Sequence, residues 1–117
     1  RDFVFVDDAC DAFLRAGADE GSNGRVFNVG GLEPIAHHSL VDRLIAVART
    51  GRYRFVEWPP EKRAIDIGDF YADSSLIERT LGWRPVTTLD DGFARTVAYY
   101  RAHMAQYLPA DAQPAGT

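Results

Sequence analysis

Arg1-Asp-Phe-Val-Phe-Val-Asp-Asp8 opens on a run of aromatic and β-branched residues and ends on two aspartates. Phe and Val fit a pleated surface, so Phe3–Val6 reads as a strand. Asp7 and Asp8 stand where an N-cap and a first-turn carboxylate belong. Ala9, Cys10, Phe13, Leu14 and Ala16 then recur at helical spacing. That predicts a helix from Asp8 to about Ala16, stopped by Gly17. The opening therefore reads as strand, then helix.

The same alternation continues outward. Arg25-Val-Phe-Asn-Val29 reads as a second strand, and Gly30-Gly31 follows it with backbone freedom that other residues lack. Pro34 to His38 is a turn. Ser39 stands as the N-cap of a helix whose apolar stripe is Leu40, Val41, Leu44, Ile45, Val47 and Ala48, with Gly51 ending it. Tyr53 to Trp58 reads as a third strand, closed by Pro59-Pro60. Phe70-Tyr71-Ala72 is a brief extended piece. Asp73 or Ser75 caps the next helix, and Ser75 with Glu78 has capping-box spacing. Its inward positions are Leu76, Ile77 and Leu81, and Gly82 ends it with Trp83 packing just beyond. Thr88 caps a last helix along which Leu89, Phe93, Val97, Tyr100 and Met104 recur.

The sum is a small mixed α/β domain of about three strands and four helices over residues 1–107. Residues 108–117 have little to bury and read as a disordered tail. Three strands barely make a free-standing sheet, and two of these are apolar on both faces. Together with a start at Arg1 rather than methionine, that points to a piece of something larger.

Composition narrows the function. The chain has 117 residues and a formal net charge of −4. An acidic balance argues against nucleic-acid partners and anionic membrane surfaces, and no apolar run has membrane-spanning length. A single cysteine, Cys10, excludes an internal disulfide and a multi-cysteine zinc site. Its position reads as that of a buried small hydrophobe. A cytoplasmic location is the simplest expectation.

Several chemistries lack their residues. No Gly-x-Gly-x-x-Gly follows a strand, so the dinucleotide fingerprint is absent. No tyrosine has a lysine four positions on, and Lys62 is the sole lysine. What remains is a set of polar anchors: Arg1, Asn28, Arg63 and Asp66. Two guanidinium groups suit a diphosphate, because each offers a planar fork of donors. Asn28 adds an amide donor, and Asp66 can accept from sugar hydroxyls. The plain alternative is that Arg1 frays, Asn28 caps the glycine turn and Arg63 pairs with Asp66 on the surface.

Five pieces of the chain, in order, resemble one family. They are Arg1-Asp-Phe-Val-Phe-Val-Asp-Asp8, Arg25-Val-Phe-Asn-Val-Gly-Gly31, Tyr71-Ala-Asp73, Leu81-Gly-Trp83-Arg-Pro and Leu89-Asp-Asp-Gly-Phe-Ala-Arg-Thr-Val97. Together they are similar to the C-terminal part of the NAD-dependent epimerase/dehydratases, the extended short-chain dehydrogenases/reductases that act on nucleotide-sugars. The resemblance covers Arg1 to about Tyr107. It implies an extended Rossmann-type parent whose NAD-binding half is not in this chain. It also implies that NAD is bound mainly by that other half, with no cofactor expected for this chain alone.

The resemblance assigns roles. Arg1 is implied as a diphosphate ligand, and Phe3 stands where the 4-epimerases have a tyrosine that reaches the nucleotide. Asn28 is implied near the phosphates, and Arg63 with Asp66 as a clamp on phosphate and ribose. The run Ile67-Gly68-Asp69 leaves Asp69 as a rival for the last place. The implied parent reaction is oxidation at a sugar carbon by NAD, proton loss or inversion, and return of the hydride. This chain would hold a UDP- or dTDP-sugar beside an N-terminal NAD-binding domain, without redox competence of its own. The other reading is a non-catalytic truncated module that works by binding or self-association.

Overall fold

A computed structural model describes residues 1–108. The opening backbone is extended as far as Phe5 (φ −72°, ψ 147°) and turns helical at Val6. Helix α1, Val6–Ala18, thus begins inside the expected strand and runs through Gly17. Phe5 has no oxygen to cap it. Asp7 and Asp8 lie in the first turn, where negative charge suits the exposed amides.

A 3₁₀ turn over Glu20–Ser22 follows, held by Asp19, whose carboxylate accepts from the Gly21 amide at 2.7 Å. Helix α2, His37–Ala48, starts two residues before Ser39. It closes on Arg49 in the left-handed region (φ 54°) rather than at Gly51. The Arg101 guanidinium donates to the Ala48 carbonyl at 2.6 Å, satisfying one of the free carbonyls at the end of α2. Helix α3 is the single turn Pro60–Arg63, with proline where its missing N–H costs nothing. Helix α4, Ser75–Leu81, ends at Gly82 (φ 62°), as the sequence predicts. Helix α5, Leu89–Tyr107, is capped by the Thr88 hydroxyl, which accepts from the Asp91 amide at 3.2 Å. Among the described residues no helix is long and apolar enough to cross a membrane.

The mixed α/β fold expected from sequence is not what forms. Of the described residues 54% are helical and about 2% are in strand, and they form no sheet. The one ladder-like contact among the described residues is an isolated antiparallel bridge between Asp2 and Pro34. The reason is physical. Alternation and β-branching make a segment extended, but a strand also needs a neighbour at ladder distance. Phe3–Phe5, Arg25–Val29 and Tyr53–Trp58 each lack one among the described residues. Val26, Phe55 and Val56 accordingly point into solvent, at 85%, 82% and 71% exposure.

The core is correspondingly thin. Ala12, Ile77 and Trp83 are buried together, with Val4, Phe27, Val29 and Leu81 packed around them. The chain presents 9215 Å² to solvent, against roughly 6,300 Å² for a compact monomer of this mass. Residues expected inside are therefore partly outside: Phe13, Leu14 and Cys10 on α1 are exposed. Apart from Leu108, the expected tail at 108–117 lies outside the described residues.

Trp83 fixes the geometry of what surrounds it. Its ring is fully buried, and Nε1 donates to the Asp8 carbonyl at 3.0 Å. The Asp8 carboxylate, itself buried, accepts from the Val86 amide at 3.2 Å and the Thr87 amide at 2.9 Å. One aspartate therefore joins the start of α1 to the segment that leads into α5.

Candidate functional site

The first two residues are held from several sides. The Arg1 backbone nitrogen donates to the Ile35 carbonyl at 3.2 Å, and the Ile35 amide returns a bond to the Arg1 carbonyl at 2.7 Å. The Asp2 carboxylate accepts from the Ala72 amide at 3.1 Å. These bonds join the opening segment to the 34–35 turn and to the stretch before α4.

Gly30 and Gly31 permit that assembly. A Cβ on Gly30 would fall 2.2 Å from an Asp2 carboxylate oxygen, and one on Gly31 would fall 2.1 Å from the Phe3 carbonyl oxygen. The glycine pair is therefore a docking point for the chain's own opening segment. The Gly30 amide donates to the Ser74 hydroxyl at 3.0 Å. Ser74 is the residue preceding α4, and its side chain makes no cap bond to that helix. Asp73 takes over instead, accepting from the Ser75 amide at 2.9 Å. That bond holds the Asp73 carboxyl below its ordinary range, with a second contribution from the Ser75 side chain. The capping box expected at Ser75 and Glu78 does not form.

The Arg1 side chain reaches the loop after α3. One guanidinium nitrogen donates to the Gly68 carbonyl, and the other bonds an Asp66 oxygen at 3.2 Å. The second Asp66 oxygen accepts from the Gly68 amide at 3.2 Å, and Gly68 takes a left-handed conformation (φ 68°) that turns the loop back. Arg1 also lines a cleft of about 320 Å³ with Pro34, Ile35, Ala36, Asp69, Phe70 and Tyr71. Phe70 and Tyr71 are more than half exposed.

The five residues singled out from sequence meet unequally. Arg1 and Asp66 are in direct contact. Arg63 ends α3, and its carbonyl accepts from the Asp66 amide at 3.4 Å, so the two share one turn. Its guanidinium makes no hydrogen bond or ion pair among the described residues, and it is not joined to Arg1. The surface pair Arg63–Asp66 does not form, because Asp66 pairs with Arg1. Phe3 lies elsewhere, edge-on to His37 (ring centroids 6.2 Å apart), and lines a cavity of about 280 Å³ with Leu32, Glu33 and Thr87–Leu89. Asn28 is exposed, with no side-chain bond among the described residues. Asp2, Phe70 and Tyr71 were not singled out. The signal for Asp2 is a carboxylate written directly before an extended run, where its partner cannot be local.

The turn at Gly30-Gly31 does not fit NAD. Its open side is filled by the Asp2 carboxylate and the Phe3 backbone, which leaves no room for a pyrophosphate and sets a negative charge against it.

No family model matches the chain. Curated proteins do. It is 33% identical over 109 residues to a dTDP-glucose 4,6-dehydratase of Streptomyces griseus, covering 93% of this chain and 32% of that protein. It is 36% identical over 104 residues to a UDP-glucose 4-epimerase of Mycolicibacterium smegmatis, covering 86% and 31%. The chain belongs to the NAD-dependent epimerase/dehydratase family. A UDP-D-apiose/UDP-D-xylose synthase of Arabidopsis thaliana is 31% identical over 124 residues, covering 92% of this chain and 31% of its own length. The chain thus spans about a third of the length of the curated relatives it matches, and the match is to the family's C-terminal part.

Proposed function

We propose that this chain is the nucleotide-sugar-holding part of an NAD-dependent epimerase or dehydratase. Its task is to grip the diphosphate of a UDP- or dTDP-sugar, so that the sugar's reacting carbon stays in one place. Holding a reactant in attack geometry can remove several kcal/mol from a barrier. NAD and the proton-transfer groups belong to the remainder of the parent, since the glycine turn here is closed to a dinucleotide.

The observation that supports this reading best is the placement of Arg1. Arg1 lines a cleft with Phe70 and Tyr71, and its guanidinium is braced by Asp66 and Gly68. A cleft that joins an arginine to exposed aromatic residues matches a nucleoside diphosphate, which offers both anionic oxygens and a flat base. Arg63, at the end of α3 just before that loop and without a side-chain partner among the described residues, supplies a second cation.

Calorimetric titration with UDP-glucose and dTDP-glucose tests it. Micromolar binding is expected, weakened about tenfold by Arg1→Gln and by Arg63→Ala. Absence of binding, joined to a stable dimer by size measurement, overturns it in favour of a self-associating module. The exposed Phe13, Leu14 and Val26 would then be the surface to examine.

A further inference from the structure

We infer that Asp2 is a positioning residue for the aromatic side of the Arg1 cleft. Its carboxylate sets where the 69–71 stretch stands relative to Arg1, and it touches no ligand itself. This deepens the nucleotide-sugar reading and rests on it.

Besides Arg1, the cleft is lined by two stretches distant in sequence: Pro34, Ile35 and Ala36, then Asp69, Phe70 and Tyr71. Adjacent residues of the opening segment hold one each. Arg1 holds the first through its two backbone bonds with Ile35, at 3.2 Å and 2.7 Å. Asp2 holds the second, accepting at 3.1 Å from the amide of Ala72, the residue directly after Tyr71. The backbone of 69–71 makes no hydrogen bond among the described residues, so the place of this stretch is set from its ends. Gly68 is tied at one end, to Arg1 and Asp66, and Ala72 at the other, to Asp2. Asp2 enters no ion pair among the described residues. Its charge therefore serves the amide bond, and bonds to an ionised acceptor are the stronger kind. The same oxygen stands against Gly30, where a Cβ would fall 2.2 Å away.

The consequence differs between ligands. Inorganic pyrophosphate needs only the Arg1 donors, and Arg1 keeps its own bonds to Ile35 whatever happens at Asp2. A nucleoside diphosphate must meet Arg1 and the exposed Phe70 and Tyr71 together. A stretch already fixed at the right spacing spares that ligand the cost of ordering it. Asp2 therefore acts on the nucleoside through the 69–71 stretch and leaves the diphosphate contact alone.

The test measures binding of pyrophosphate, UDP and dTDP to the full chain, Asp2→Asn and Asp2→Ala. Both variants remove the charge, so its repulsion of an anion cancels between them. Only Asp2→Ala removes the acceptor for the Ala72 amide. The nucleotides should bind about fivefold more weakly to Asp2→Ala than to Asp2→Asn, with pyrophosphate equal within about twofold. In a Tyr71→Ala background the difference between Asn and Ala should shrink, because the group being positioned is gone. Melting curves confirm the fold. If Asp2→Ala does not melt cooperatively, Asp2→Glu against the unmodified chain takes its place, since it keeps the charge and moves the oxygen, and the same split is expected. Nucleotides that bind both variants alike, or that weaken in the same proportion as pyrophosphate, overturn the inference and leave the nucleotide-sugar reading standing. If the unmodified chain binds neither nucleotide, both fall.

Discussion

The Asp2 carboxylate accepts a hydrogen bond from the Ala72 amide across 70 residues of sequence, at 3.1 Å. That bond brings the loop bearing Asp66 and Gly68 back to Arg1. It also stands against Gly30, whose missing side chain leaves the space it needs.

Glycine substitutions should separate the docking turn from an ordinary helical position. Gly31→Ala drives a methyl into the Phe3 carbonyl, which is backbone and cannot swing aside. It should destabilise the chain by about 2 kcal/mol or more. Gly17 lies within α1 with nothing within 4 Å of its notional Cβ. Gly17→Ala should stabilise by about 0.5–1 kcal/mol. Urea unfolding of the two variants against the parent checks the sign of both.

Trp83 and Asp8 should behave as one unit. Trp83→Ala empties the core and is expected to cost about 3–5 kcal/mol. Asp8→Ala leaves the Val86 and Thr87 amides without their acceptor and should cost about 2–3 kcal/mol. The double variant should lose less than the sum, because the residues touch through the Trp83 Nε1 bond. Fluorescence offers a second readout. Trp58 is 54% exposed and Trp83 is not exposed at all, so unfolding should redshift the Trp83 share alone.

Much of the helical layout was legible because helices carry their own signals. The close of α4 at Gly82 and the Thr88 cap of α5 depend on residues within one turn, and both formed as expected. The missing sheet was not legible. Phe3–Phe5 and Arg25–Val29 advertise extension, but whether a neighbouring strand exists is not written within the segment. The starts of α1 and α2 were misplaced for a related reason. Asp8 and Ser39 look like caps, but Asp8 is drawn to the 86–87 amides and Ser39 lies inside its helix. In the site, the Arg1–Asp66 pair and the Asp2 anchor are contacts over more than sixty residues, beyond any local pattern.

Acid should loosen the entry to α4. The Asp73 carboxyl is held below its ordinary range by the Ser75 amide bond. A carboxyl lowered on folding adds stability that is present above its unfolded value. That stability is lost as pH falls through the folded value. Thermal melts from pH 6 down to pH 2 should therefore show a steeper acid loss for the parent than for Asp73→Asn. Asp73→Asn, which cannot titrate, should be the less stable of the two at pH 6. Parallel curves would contradict the assignment.

On the proposed reading, the Arg1 guanidinium receives the diphosphate of a nucleotide-sugar. Nitrogen-detected NMR of the arginine side chains during titration with dTDP-glucose and UDP-glucose tests it most directly. The Arg1 side-chain signals should shift saturably, with Arg63 following and Arg15 and Arg95 unmoved. Arg1 signals that stay fixed while the nucleotide-sugar binds, or shifts confined to arginines outside the cleft, would contradict it.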